Sequence, residues 1–197
     1  MNRIFAACLD IVASTVFILP IFIVCNKFVF HKIKHTALYT IFAFYLIAMM
    51  SLVGLPNVKY MQIDFSINLI PFVDMVSDIK NALLNVLLFL PMGLFLPILW
   101  EKCRQIKNTL IICLCVTGTI EILQIFTFRT TDINDIITNT LGGVIGYFIA
   151  KWITKDFSKR ICSDTKLYEM YSVFAIAFVV MIFAVPFISD LLWELVV

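Results

Sequence analysis

The sequence is poor in charge: 14% of its 197 residues are Asp, Glu, Lys or Arg, against 62% hydrophobic, and its mean hydropathy is +1.01. Soluble domains carry roughly 25% charged residues. The deficit excludes a water-soluble globular fold and places the chain in a bilayer. Also missing are a low-complexity linker and an internal repeat, so a single transmembrane domain over residues 1–197 is expected. No CxxC and no Cys/His cluster at zinc spacing occurs, and neither a metal nor another cofactor is expected. The net charge is only +2, and its distribution reads as topology, so nucleic acid is not an expected partner.

What is present in abundance is long apolar runs. A hydrocarbon core about 30 Å thick needs about 20 residues of helix, and six stretches qualify: Ile4 to Cys25, Ala37 to Leu55, Asn81 to Trp100, Thr109 to Phe128, Ile133 to Trp152 and Met170 to Ile188. The runs are too long and too little alternating for barrel strands, which predicts an all-α polytopic bundle of about six transmembrane helices. The first run is too long and polar-flanked for a cleaved signal peptide.

Basic residues near spans are retained on the cytoplasmic side. Lys27, Lys32, Lys34, Lys102, Arg104, Lys107, Lys151, Lys155, Lys159, Arg160 and Lys166 all fall in alternate loops. The other side holds Arg3, Lys59, Lys80 and Arg129 among seven acids. A multi-pass protein of the cell membrane with both termini extracytoplasmic follows. Trp100 and Trp152 fall at inner span ends and Trp193 near an outer one, where indoles favour the headgroup region. None of the six cysteines falls in an outward loop, so they read as small apolar residues and not as a disulfide framework.

On this topology the polar residues gather at one level. Thr117, Glu121, Gln124 and Phe128, spaced four, three and four, share a helix face in the outer half of span four. Asp132, Asp135, Asn139 and Gly142 do the same on span five, while Asn81 and Asn85 open span three. A carboxylate in lipid costs a few kcal/mol and faces a bundle interior or a wet cavity. The group reads either as an outward ligand pocket or as an interhelical clamp in which Glu121 or Asp135 pairs with Arg129. Thr131 or Asp132 can cap span five. The Arg129 guanidinium suits a phosphate or carboxylate, with Lys80 as a second positive charge, or else an internal ion pair.

Three further patterns concern shape. Pro91 and Pro97 inside span three predict a kink near Met92 and Gly93. Gly142 and Gly146 form a GxxxG, widened by Gly143, which predicts close helix packing. Residues 61–69, MQIDFSINL, alternate with period two and predict an extended segment on the membrane surface or over the bundle as a lid. Asp10 in span one is a buried acid expected to make a structural hydrogen bond.

NLIPF at 68–72, NVLLFLPMGLFLP at 85–97, EILQ at 121–124 and RTTDINDIITNTLGGVIGY at 129–147 occur in register. Together they resemble the VanZ-like membrane proteins, a family named for a protein associated with teicoplanin resistance. The resemblance covers about residues 65–155, leaving an additional N-terminal span at 4–25 and a C-terminal span at 170–188. It implies that Asn85, Pro91, Glu121, Gln124, Arg129, Asp132, Asp135, Asn139, Gly142 and Gly146 are characteristic positions. Asn134 stands where many relatives have a second acid, which removes a carboxylate from any metal site or three-acid mechanism.

Two functions are expected from this resemblance and the polar group. One is a binding protein in which Asn85, Glu121, Gln124, Arg129, Asp132, Asp135 and Asn139 recognise a cell-envelope lipid, a lipid-linked cell-wall precursor or a glycopeptide antibiotic, contributing to teicoplanin-type resistance. The alternative is a membrane enzyme on a lipid-linked phosphate, with Glu121 or Asp135 as acid or base and Arg129 as phosphate clamp. No histidine, serine or cysteine nucleophile accompanies those acids. The topology is directly testable: a cysteine at position 129 or 135 should react with a membrane-impermeant maleimide added outside intact cells, and reaction only after permeabilisation would reverse the orientation.

Overall fold

Inside hydrocarbon every backbone N–H and C=O must bond within the protein, and a helix does this segment by segment. The computed structural model describes residues 3–56, 58–59, 67–68, 78–127, 131–155, 157, 162 and 164–196. Among them, six helical stretches are long and apolar enough to cross a membrane: Arg3–Phe30, Ile33–Val53, Ile79–Leu99, Ile106–Gln124, Ile133–Ile153 and Leu167–Leu195. The chain is an all-α polytopic protein. Five of its stretches are α1 (Arg3–Cys25, prolonged by a π-helical turn Asn26–Phe30), α2 (Ile33–Val53), α3 (Ile79–Leu99), α4 (Ile106–Gln124) and α5 (Ile133–Ile153). The last is α6 (Leu167–Val179) and α7 (Val185–Val196), joined by a π-helical turn Val180–Ala184. The two-residue strands β1 (Ile67–Asn68) and β2 (Thr131–Asp132) pair in parallel.

The chain forms two compact units, residues 1–62 with 167–197, and residues 63–166. In the first, α1 and α2 pack through Phe22, Phe30 and Tyr39, whose rings stand 5.6 and 5.0 Å apart in succession. The Tyr39 hydroxyl donates to the buried Glu169 carboxylate on α6 at 2.8 Å. Asp10 makes the expected structural hydrogen bond, accepting from the Ser51 hydroxyl on α2. Gly54 ends α2 in the left-handed region at φ 74°, where its N–H and that of Leu55 both reach the Met50 carbonyl. Pro186 has no N–H to offer the turn before it. Ile182, four residues earlier and within the π-helical turn, instead receives the Val58 N–H at 3.4 Å.

The second unit is built on α5, which packs against both α3 and α4. Without a hydrophobic force between helices in lipid, close van der Waals contact and hydrogen bonds must hold them. The GxxxG of α5 supplies that contact. A methyl on Gly142 or Gly146 would lie 3.0 Å or less from backbone atoms of Val86 or of Leu90, Gly93 and Leu94; one on Gly93 would collide with the backbone of Gly143. Gly143 in turn faces the Cys113 side chain of α4. Helix α3 continues through Pro91 and Pro97 without interruption.

Two expectations change. Helix α4 ends at Gln124 and turns over residues 125–127, because the chain must double back to start α5 at Ile133. Trp100 is fully buried, so of the two indoles assigned to inner span ends only Trp152, 82% exposed, stands where a headgroup-seeking ring would. The cysteines are free thiols, and burial pushes Cys103, outside the spans, up to about 12, with neighbouring Cys113 adding to the effect.

Gly93→Ala and Gly146→Ala should each lower stability by about 1–3 kcal/mol through overpacking. Gly118, with open space around its Cα, should accept alanine without loss. Thermal unfolding of the three variants in one detergent checks this, and equal melting temperatures would remove the glycine contact from the account.

Candidate functional site

Helix α4 runs antiparallel to α5, and at the end where the chain connects them α4 turns Thr117, Glu121 and Gln124 inward, 0, 3 and 2% exposed. Their spacing of four and three, read from the sequence, is thus an interior face. On α5, Asn134, Thr138 and Asn139 are buried as well. The Asn139 amide donates to the Thr117 hydroxyl at 2.9 Å.

One turn nearer the connection, Glu121 closes the start of α5. Its Oε2 accepts the backbone N–H of Asp132 at 2.9 Å, and its carbonyl accepts the Thr131 hydroxyl at 3.0 Å. Asp132, the residue preceding α5, is the N-cap of the two candidates: its Oδ1 accepts the Asn134 N–H at 2.9 Å. This satisfies one of the four donors that a helix start leaves open. Its Oδ2 accepts from Asn68 at 3.3 Å, and β1 holds Ile67 opposite Thr131 and Asn68 opposite Asp132.

Asp135, half-buried on the first turn of α5, accepts the Asn85 amide at 2.7 Å, tying α3 to α5. Asn85 thus spends its amide N–H on a carboxylate of the neighbouring helix. Asn81 instead bonds back to Asp78. Lys80 is exposed on the first turn of α3, and no hydrogen bond or ion pair joins it to Asp132 or Asp135 among the described residues. Arg129 and Phe128 lie outside the described residues, as does most of the alternating segment at 61–69.

The structure thus joins Asn85 to Asp135, Glu121 to Asp132, and Asn139 to Thr117, and buries Gln124 beside them on α4. Asn68 was missed as a participant, and Thr131, offered as a cap, bonds instead to the Glu121 carbonyl. Asn68 was legible as a member of the polar edge of the alternating segment and of NLIPF, but its partner depends on a pairing across sixty residues.

The chemistry of this seam is mostly hydrogen-bond acceptance. Oε1 of Gln124 and Oδ1 of Asn139 are buried without a hydrogen-bond partner. An unsatisfied buried acceptor costs about 1–3 kcal/mol, so both amides stand ready for a donor. Among the described residues no group of three or more His, Cys, Asp or Glu is placed to hold a metal ion.

The family model described as VanZ/LLP1 matches residues 36–154, from α2 through α5. Protein VanZ of Enterococcus faecium is 37% identical over 82 residues, 41% of this chain and 50% of that protein, so the chain spans about half the length of the curated relative it matches. No solved structure matches the chain.

Asp132→Ala should remove the α5 cap and its bond from Asn68, lowering stability by about 1 kcal/mol, while Asp132→Asn, which keeps a capping oxygen, should lose only a few tenths of that order. Chemical unfolding of both variants distinguishes the cap from a mere charge effect, which would make them equal.

Proposed function

The chain belongs to the VanZ/LLP1 family, and on that premise we propose that the α4–α5 seam is a ligand site at the extracytoplasmic side of the cell membrane. It binds the polar group of a cell-envelope lipid, a lipid-linked cell-wall precursor or a glycopeptide, and so lowers susceptibility to teicoplanin-type antibiotics. Glu121, Gln124, Asp135 and Asn139 supply acceptors, Asn85 and Asp132 hold them in place, and Arg129 brings a guanidinium to the anionic part of the ligand. The loop lysines and arginines, concentrated on the opposite side, support this orientation.

The observation that carries the reading is the pair of buried amide oxygens on Gln124 and Asn139 without partners. A clamp evolved only to hold helices together gains nothing from them, because an apolar side chain of the same shape would be as good or better. A site that meets a donor-bearing ligand gains from both. Membrane interiors make such groups costly, and they mark functional positions.

Gln124→Met keeps the volume and removes the unpartnered amide. The proposal expects a protein at least as stable as the parent, with susceptibility to teicoplanin raised to that of cells lacking it; Glu121→Gln should give the same phenotype with insertion intact. Unchanged susceptibility in both correctly inserted variants would leave the seam a structural clamp.

A further inference from the structure

A second feature lies at the far end of α5. A concavity of about 780 Å³ is lined by Phe148, Lys151, Trp152, Ile153 and Lys155. Phe148 and Ile153 are half exposed and the Trp152 indole is 82% exposed, so the wall combines open apolar surface with two ammonium groups. The bland explanation of the lysines is that they offset the negative end of the helix. That end carries about half an elementary charge, and two of its last carbonyls already have backbone donors: Ala150 accepts the Thr154 N–H at 3.0 Å and Trp152 the Lys155 N–H at 3.1 Å. Both lysine side chains are exposed at this end.

The same end of this unit also carries exposed Lys102 and Lys107, while its acid Glu101 is bonded to Arg104 at 3.1 Å and Asp164 is exposed. Charge, indole and apolar wall all coincide at the end of a membrane-spanning helix. We propose that this concavity seats the headgroup of an anionic phospholipid, Lys151 and Lys155 meeting the phosphate and Phe148, Trp152 and Ile153 lying along the glycerol and upper acyl chain. The ligand class is a phosphodiester with an attached chain, and the site is independent of the α4–α5 seam.

Trp152 is its own reporter. The full-length protein is reconstituted in phosphatidylcholine vesicles containing a small fraction of either brominated phosphatidylglycerol or brominated phosphatidylcholine, and the Trp152 signal is obtained as the difference between the parent and Trp152→Phe. Each lysine near an anionic surface contributes about a fivefold factor, so with two of them quenching should report an enrichment of phosphatidylglycerol of roughly twenty-five-fold at most. Lys151→Gln with Lys155→Gln should bring it to that of phosphatidylcholine, and inorganic phosphate should not compete. Equal quenching by the two lipids, an enrichment that survives the lysine substitutions, or displacement by inorganic phosphate would each overturn the proposal. Both lysines are exposed, so their replacement leaves the packing of α5 intact, and a failure here leaves the seam's antibiotic phenotype untouched.

Discussion

The backbone contact between α3 and α5 is the constraint on which the rest of the second unit depends. Gly93 against Gly143, Gly142 against Val86 and Gly146 against Leu90 and Leu94 leave no room for a methyl, so the two helices can neither slide nor rotate without losing it. In lipid this contact substitutes for the hydrophobic force that assembles soluble cores. Its register fixes the helix start above it: with α3 and α5 locked, Asn85 meets Asp135 at 2.7 Å. The other face of Gly143 receives Cys113, which sets α4 close enough for Thr117 to meet Asn139.

At the connected end of α4 and α5 the polar residues divide into two kinds. Glu121, Thr131 and Asp132 satisfy backbone groups that the turn and helix start expose, and they would be needed in any protein making this reversal in a membrane. The amide oxygens of Gln124 and Asn139 satisfy nothing. Structural necessity explains the bonds of the first kind; ligand recognition is the reason offered for the second kind, and it is a further role proposed for Glu121.

Composition and periodicity were enough to read the six spans, the interior faces of α4 and α5, the glycine surface and a cap at Thr131 or Asp132, since each is a property of one helix. What stayed hidden depends on register between helices. Gly93 looked like part of a proline kink because its partner, Gly143, is fifty residues away. Asn85 could be assigned to any nearby acceptor until the α3–α5 register chose Asp135. Trp100 read as an interfacial indole because its position at a span end carries no information about neighbours that bury it. Asn134, read as a lost acid, is a buried residue whose backbone N–H completes the cap.

The central claim is that the glycine contact sets the polar end of the site, and a cysteine cross-link between positions 85 and 135 tests it most directly. In a chain whose native cysteines are replaced, Asn85→Cys with Asp135→Cys should form a disulfide rapidly under mild oxidation, whereas Leu84→Cys, on an exposed face of α3, should not bond to the same partner. Adding Gly142→Leu should abolish the 85–135 cross-link. No disulfide at 85–135, or one that persists when the glycine contact is broken, would contradict the account.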